Sequence, residues 1–290
     1  MNEDIATRLR EAAELLHQQG ANPFRVSAYR HAADTLSGLK EDVADILARD
    51  GIDGLIALPG IGQSLAAAID EMVRTGRWMQ LERLRGTAEP EAVFQTVPGI
   101  GPGMAQRIHE TLDIETLEDL EIAANDGRLA QVPGFGPRRV HMIRVALASM
   151  LQRWRRAAPT ARQGPPPSVS LILDVDREYR ELAALDRLPR IAPRRFNPTG
   201  EIRLPILHAQ RGAWHFTALF SNSALAHRLG RTRDWVVIYF HTDDEPERQC
   251  TVVTETHGAL EGRRVVRGRE IDSRAYYDER DTAAAAPGGG

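Results

Sequence analysis

Three short segments of the 290-residue chain carry the same residue types in the same order: Leu58-Pro59-Gly60-Ile61-Gly62, Val97-Pro98-Gly99-Ile100-Gly101 and Val132-Pro133-Gly134-Phe135-Gly136. In each, a proline and two glycines permit a tight hairpin, and a run suited to a helix follows at once. A helix that starts behind such a hairpin presents unpaired backbone N–H groups and the positive end of its dipole. That combination suits one phosphate and requires neither a particular base nor a basic side chain. One copy alone reads equally well as a turn between packed helices, since Pro-Gly pairs mark turns of many kinds. Three copies favour phosphate binding by at least two of them. The residues expected at these backbone contacts are Gly60, Gly62 and Ser64, then Gly99, Gly101 and Arg107, then Gly134, Gly136, Arg138 and Arg139.

Helices must position these hairpins. Ile5, Leu9, Ala12, Ala13 and Leu16 recur at helical spacing up to Gly20. Asn22-Pro23 opens a second run over 24–36, followed by 43–48, and a helix over 63–75 is stopped by Gly76. Further helices are expected over 91–96, 103–112, 117–130 and 137–154, with Pro102 and Pro137 at helix starts, where a missing N–H costs nothing. Residues 157–168, with three consecutive prolines, read as a stiff linker. Beyond it β-branched and aromatic residues predict strands over 202–208, 214–220, 235–240, 251–255 and 263–266, with a hairpin turn at 210–212 and a short helix over 222–229. The expected fold is an all-α N-terminal half of tandem hairpin units plus a small α+β C-terminal domain with a mostly antiparallel sheet. The expected divisions are 1–86, 87–156, the linker 157–168, 169–280, and a disordered tail over 281–290.

Composition narrows the chemistry. Cys250 is the single cysteine, so no intrachain disulfide can form, and a cytoplasmic setting is expected. No apolar run approaches membrane-spanning length, so no membrane partner is expected. Lys40 is the only lysine among 37 basic residues. Residues 1–150 carry a net charge of −7 and residues 151–200 one of +5, which places long-range attraction to a polyanion behind the hairpins.

The repeated unit resembles the helix-hairpin-helix motif. The stretch from Gln19-Gly20-Ala21-Asn22-Pro23-Phe24-Arg25 through Tyr29-Arg30-His31-Ala32-Ala33, followed by the three hairpins, resembles the N-terminal region of bacterial family X DNA polymerases over about residues 1–150. The lyase domain of DNA polymerase beta is a more distant likeness. This resemblance implies a lyase-like helical domain and a helical DNA-binding subdomain that together hold gapped DNA near a 5′-phosphate. It places Arg25, Arg30 and His31 near a 5′-phosphate pocket, and implies that hairpin carbonyls could hold K+ or Na+ against a DNA phosphate. No cofactor is otherwise required.

Two departures limit what the resemblance carries. The family's lyase lysine falls on Ala68, which cannot form a Schiff base, and Lys40 lies outside the matching position. The polymerase palm is also absent: the chain has no Gly-Ser dipeptide, and its one Asp-x-Asp in an apolar setting is Asp174-Val175-Asp176. Val169, Ile172, Leu173, Asp176 and Tyr179 follow helical spacing, which turns the two aspartates about 200° apart, too far to chelate one ion. On a strand they would share a face. Neither polymerase nor 5′-deoxyribose phosphate lyase activity is expected.

The C-terminal half offers a basic stretch, 187–198, in which Arg190, Arg194 and Arg195 flank Phe196 and suit a nucleic-acid backbone; a solvated arm anchored by Phe196 is an equal reading. His208, His215, His227, His241 and His257 show no zinc-ligand spacing. The expectation is therefore a sequence-nonspecific DNA-binding protein that prefers gapped, nicked or branched DNA. It would be accessory to DNA repair or processing, alongside repair proteins. Two alternatives stand beside it: a nuclease-like enzyme whose site lies in 169–280, recognisable if Asp174, Asp176, Glu201 or His215 converge, and a protein-interaction scaffold.

Overall fold

A computed structural model of the chain describes residues 1–86, 90–112, 114, 117–157, 164–194, 196–245 and 247–285. The first helical unit comprises α1 (Asn2–Gln18), α2 (Pro23–Gly38), α3 (Val43–Ile56), α4 (Gln63–Thr75) and α5 (Met79–Arg85). The apolar stripe of α1 is fully buried against α2 and its neighbours, with Leu9, Ala12, Ala13 and Leu16 at 0 % exposure. Asn22 starts α2 by accepting the Phe24 N–H at 2.8 Å, and Asp42 does the same for α3. The α3 run extends past its expected end at residue 48, interrupted at Gly51, whose φ is 67°. Helix α4 has the expected bounds, 63–75, and Gly76 closes it in the left-handed region.

The second helical unit holds α6 (Pro90–Phe94), α7 (Pro102–Leu112), α8 (Leu117–Asn125) and α9 (Pro137–Ala157) around Phe94, Ile108, Leu120, Phe135 and Ile143. The single helix expected over 117–130 is divided: α8 ends at Asn125, Gly127 takes a φ of 90°, and Arg128–Gln131 form a separate 3-10 turn. A left-handed glycine stops a helix that apolar spacing alone would continue.

Beyond the linker stretch, whose residues 158–163 lie outside the described residues, α10 (Val169–Ala184) leads into a six-stranded sheet. The strands β1 (Arg190–Ile191), β2 (Leu204–Arg211), β3 (Trp214–Phe220), β4 (Val236–His241), β5 (Arg248–Thr254) and β6 (Arg264–Val266) lie in chain order, each antiparallel to the next. The short α11 (Ala224–Arg228) joins β3 to β4, and α12 (Glu270–Ala285) follows β6. The expected antiparallel α+β architecture is observed. The Asp-x-Asp segment lies on α10, as helical spacing required.

Three expectations are corrected. The turn between β2 and β3 is Gly212-Ala213 rather than 210–212, because Gln210 and Arg211 pair with His215 and Trp214 and Gly212 takes the positive φ of a two-residue loop. Strand β2 starts at Leu204, two residues later than expected, and β1 was not expected. Residues 281–285 are not a disordered tail but the last turn of α12; residues 286–290 lie outside the described residues.

The sheet is covered on both faces. Leu207, Phe216, Ile238, Phe240 and Val252 pack against Ile172, Val175 and Tyr179 of α10. On the opposite face Ile206 and Ile191 join the core of the first helical unit. All six residues of β4 are buried, and its sequence, Val-Val-Ile-Tyr-Phe-His, lacks the alternation of a half-exposed strand for that reason.

Candidate nucleic-acid interface

The three hairpins share one local construction. The apolar residues Ile61, Ile100 and Phe135 are buried, and their N–H groups donate to the carbonyls of Leu58, Val97 and Val132 at 3.2, 3.0 and 3.1 Å. The first glycines, Gly60, Gly99 and Gly134, have φ of 73°, 91° and 91°, where a side chain would be strained. The second glycines start the following helices: the carbonyls of Gly62, Gly101 and Gly136 accept from Ala66, Ala105 and Val140. All six glycines are solvent-exposed while their apolar neighbours face the core. Among the described residues, the N–H groups of Gly101, Gly103, Gly136 and Arg138 meet no protein acceptor. These are the donors a helix start presents to an anion.

The second and third hairpins are related by a 35-residue repeat and pack reciprocally. A Cβ placed on Gly99 would lie 3.8 Å from Met142 Cε, and one on Gly134 would lie 3.6 Å from Arg107 Nη2. Arg107, Arg138 and Arg139 are all exposed around the third hairpin. Arg139 folds back and donates to the Gly134 carbonyl, an atom the resemblance would have offered to a monovalent cation. The second hairpin has Gly103 and Met104 where the third has Arg138 and Arg139, so charge gathers at the third.

At the first hairpin the environment differs. The Ser64 N–H donates to the backbone carbonyl of Asp243, in the turn between β4 and β5, at 3.4 Å. His31 is exposed and its Cβ lies 3.7 Å from the Cβ position of Gly60. Arg30 is exposed, with Nη2 3.8 Å from Glu14 Oε2. Arg25 is only 7 % exposed, turned toward the sheet, and its Nε and Nη2 have no hydrogen-bond partner. The three residues expected at a 5′-phosphate pocket are thus split: His31 and Arg30 face solvent and Arg25 faces the sheet.

Arg25 lies in a polar cluster that the sequence did not reveal. Burial, then the Arg25 charge, holds His208, His215 and His241 below the ordinary histidine range. His208 bonds Gln19 Oε1 at 2.9 Å and Thr217 Oγ1 at 3.0 Å, and the His215 and His241 rings stack 5.2 Å apart. Nearby Arg83 pairs with Glu247 and stacks 3.5 Å from the Tyr239 ring centre. Arg83 and Glu247 border a cleft of about 1130 Å³ between the two helical units and the sheet, as do Ala68 and Glu71. Burial pushes the Glu71 carboxyl up to about 7, opposed by the Met79 N–H it accepts. Ala68 itself is 8 % exposed, so the position of the missing lysine faces this cleft as a packed methyl.

The basic stretch folds onto the body of the protein. Arg190 pairs with Asp186, and the Arg194 N–H donates to the Gly86 carbonyl at 2.7 Å. Arg195 lies outside the described residues. Phe196 stacks on His227 with ring centres 4.1 Å apart. The C-terminal carboxylates do not converge. Asp176 is 1 % exposed and is gripped by Arg264 at 2.6 and 3.0 Å, and Asp174 pairs with Arg177 and Arg211. Glu201 is exposed in the loop before β2, and His215 lies on the opposite sheet face from α10. Among the described residues no group of three or more His, Cys, Asp or Glu is placed to hold a metal ion. No described helix is long and apolar enough to cross a membrane.

Hairpins built this way, with outward glycines ahead of a helix start, define a protein whose N-terminal half consists of helix-hairpin-helix units. Residues 1–78 match a helix-hairpin-helix domain, and residues 92–149 match a SAM-like helix-hairpin-helix tandem. The N-terminal half is homologous to the DNA polymerase/3′-5′ exonuclease PolX of Bacillus subtilis (strain 168), 28 % identical over 146 residues, which cover 50 % of this chain and 24 % of PolX. The Holliday junction branch migration complex subunit RuvA of Synechococcus elongatus is 31 % identical over 120 residues, covering 40 % of this chain and 58 % of RuvA. The chain therefore spans less than two thirds of the length of either relative. Both domain matches end before the six-stranded sheet.

Proposed function

We propose that this protein binds the DNA backbone without base specificity, at gaps, ends or junctions, and serves DNA repair or recombination as an accessory factor. The observation that carries this reading is the reciprocal pair of hairpins around Gly99 and Gly134, each with exposed glycines and unpaired N–H groups at a helix start. Two such donor sets on one rigid unit would engage two phosphates at a fixed spacing, and backbone donors read no base. The likeness to PolX and to RuvA, one named for DNA synthesis and cleavage and the other for a four-way DNA junction, supports the same substrate. Arg107, Arg138 and Arg139 would add the salt-dependent part of the affinity.

The test is a gel-shift panel with the full chain on single-stranded, blunt, nicked, one-nucleotide-gapped and four-way DNA of unrelated sequences, with and without Mg2+. Affinities should follow DNA shape and ignore sequence, with no cleavage. Equal failure to bind every substrate at low salt contradicts it.

A further inference from the structure

The first hairpin already has a partner within the chain. The turn that follows β4, Thr242-Asp243-Asp244-Glu245, places the Asp243 carbonyl on the Ser64 N–H, and that oxygen would lie 3.4 Å from a Cβ on Gly62. The Asp243 carboxylate is 89 % exposed and reaches His215 Nε2 at 3.3 Å. Asp244 is exposed beside it. A carbonyl oxygen on a helix-start donor, flanked by two carboxylates, is what a phosphate diester would present there. The second and third hairpins have no such neighbour: nothing bonds the N–H groups of Gly103 and Arg138, the positions equivalent to Ser64, among the described residues.

A second observation points the same way. Arg25, nine-tenths buried beside His215, has Nε and Nη2 without partners, an arrangement that is costly for a charged group unless an anion completes it. His215, one of the three histidines whose titration the Arg25 charge depresses, faces the Asp243 carboxylate across 3.3 Å. The Ser64 N–H and His215 Nε2 are thus both engaged by the Asp243 turn, while Arg25 Nε and Nη2 keep donors without a partner.

Resting on the DNA-backbone reading above, we propose that the acidic turn Thr242-Asp243-Asp244-Glu245 is a built-in mimic of a DNA phosphate that occupies the first hairpin, so that this hairpin engages DNA only when the turn is displaced. The protein then has two binding modes. The second and third hairpins hold DNA weakly and at all times, and the first adds its contact when a strand reaches the face beside Arg25 and evicts the turn. The like charge of Asp243 and Asp244 opposes any phosphate that does not displace them.

The experiment uses the full chain with a fluorescent gapped duplex and two variants. One replaces residues 242–246 with Asn-Gly, a two-residue turn suited to joining antiparallel strands; the other is Asp243→Asn with Asp244→Asn, which keeps the backbone intact. A variant with Asp278→Asn and Glu279→Gln on α12 controls for the net charge of the Asn pair, and the same variant with Glu261→Gln added controls for the three carboxylates removed with the turn. Wild type and both controls are expected to bind alike. The turn replacement should bind about tenfold tighter, the value of one charge-assisted contact regained, and Gly62→Val should abolish that gain. The Asn pair should bind tighter than its charge control by a smaller factor. Amide hydrogen exchange of wild type supplies a readout independent of variant folding: DNA should accelerate exchange at residues 242–245 and slow it at 62–66. Unchanged affinity in both variants, or a DNA-bound wild type in which 242–245 stay as protected as in the free protein, overturns the proposal while leaving the two-hairpin reading intact. Absence of any binding by wild type and every variant overturns both.

Discussion

Arg107 and Met142 occupy equivalent positions, each eight residues after the first glycine of its own hairpin, and each packs against the hairpin of the other. The contact is symmetric in geometry and asymmetric in charge. Met142→Arg should restore that symmetry and tighten DNA binding, steepening the slope of log affinity against log salt by about 0.9, the contribution of one neutralised phosphate on duplex DNA. Arg107→Ala should make the slope shallower by a similar amount. Fluorescence anisotropy across a salt series measures both.

Gly86 anchors the arm that carries the basic residues. Its φ is 78°, and a Cβ there would overlap the Ala192 carbonyl group, lying 2.8 Å from its carbon. Gly86→Ala should cost about 2–4 kcal/mol through combined strain and collision, whereas Gly127→Ala, with φ of 90° and open space around it, should cost about 1 kcal/mol. Urea unfolding of the two variants separates the terms.

Asp176 and Arg264 form a buried ion pair that joins α10 to β6. Removing one partner leaves the other charge unmatched, so Asp176→Ala should destabilise the protein by about 3–5 kcal/mol. Its melting temperature should fall by the same amount with Mg2+ or EDTA present, because the carboxylate is engaged by guanidinium groups and not by a metal. A Mg2+-dependent difference would reopen a catalytic role for this aspartate.

Stability should fall on acidification below about pH 6.5. Burial keeps His208 and His241 neutral in the folded protein, so the unfolded chain takes up protons there first as pH drops through the ordinary histidine value. Glu71 acts in the opposite sense. Its folded value of about 7 lies above the ordinary 4.5, so its contribution is full below 4.5 and is lost as pH rises through 7. His215, held low for the same reason, acts in the same sense as the other two, so the three histidines favour neutral pH. With His208→Gln, His215→Gln and His241→Gln together these histidine terms are removed and Glu71 is left, so melting temperature should rise rather than fall between pH 7.5 and 5.5.

Ala68 predicts a chemical negative. Borohydride treatment with DNA bearing a 5′-deoxyribose phosphate should trap no covalent adduct, since alanine offers no amine and the single lysine, Lys40, belongs to the short loop between α2 and α3. An adduct lost in Lys40→Ala would contradict this.

What the sequence reveals and what it conceals divide by range. The hairpins are local: Pro, Gly and one buried apolar residue within five positions fix each turn, and α4 follows with the bounds its periodicity required. Helix α12 was not legible, because its one large aliphatic residue, Ile271, is 86 % exposed and its inward contacts come from Ser273, Tyr276 and Tyr277 among charges. The cluster around Arg25 was beyond reach for another reason. Gln19 and His208 touch across 189 residues, and Arg83 and Glu247 across 164, so no spacing rule connects them. The basic stretch looked suited to a polyanion, yet Arg190 is neutralised by Asp186 only four residues away.

On the proposal above, exposed glycines and free N–H groups of the second and third hairpins hold DNA phosphates. The measurement that tests it most directly is equilibrium binding of gapped duplex DNA at physiological salt by the Gly101→Val, Gly136→Val double variant, with its melting temperature measured beside wild type. Neither glycine has a positive φ, and a Cβ at either meets open space, so the variant should fold as wild type does. Affinity should fall at least about tenfold, because two side chains then stand over the donors. Wild-type affinity in a variant with wild-type stability would show that these hairpins are turns and nothing more.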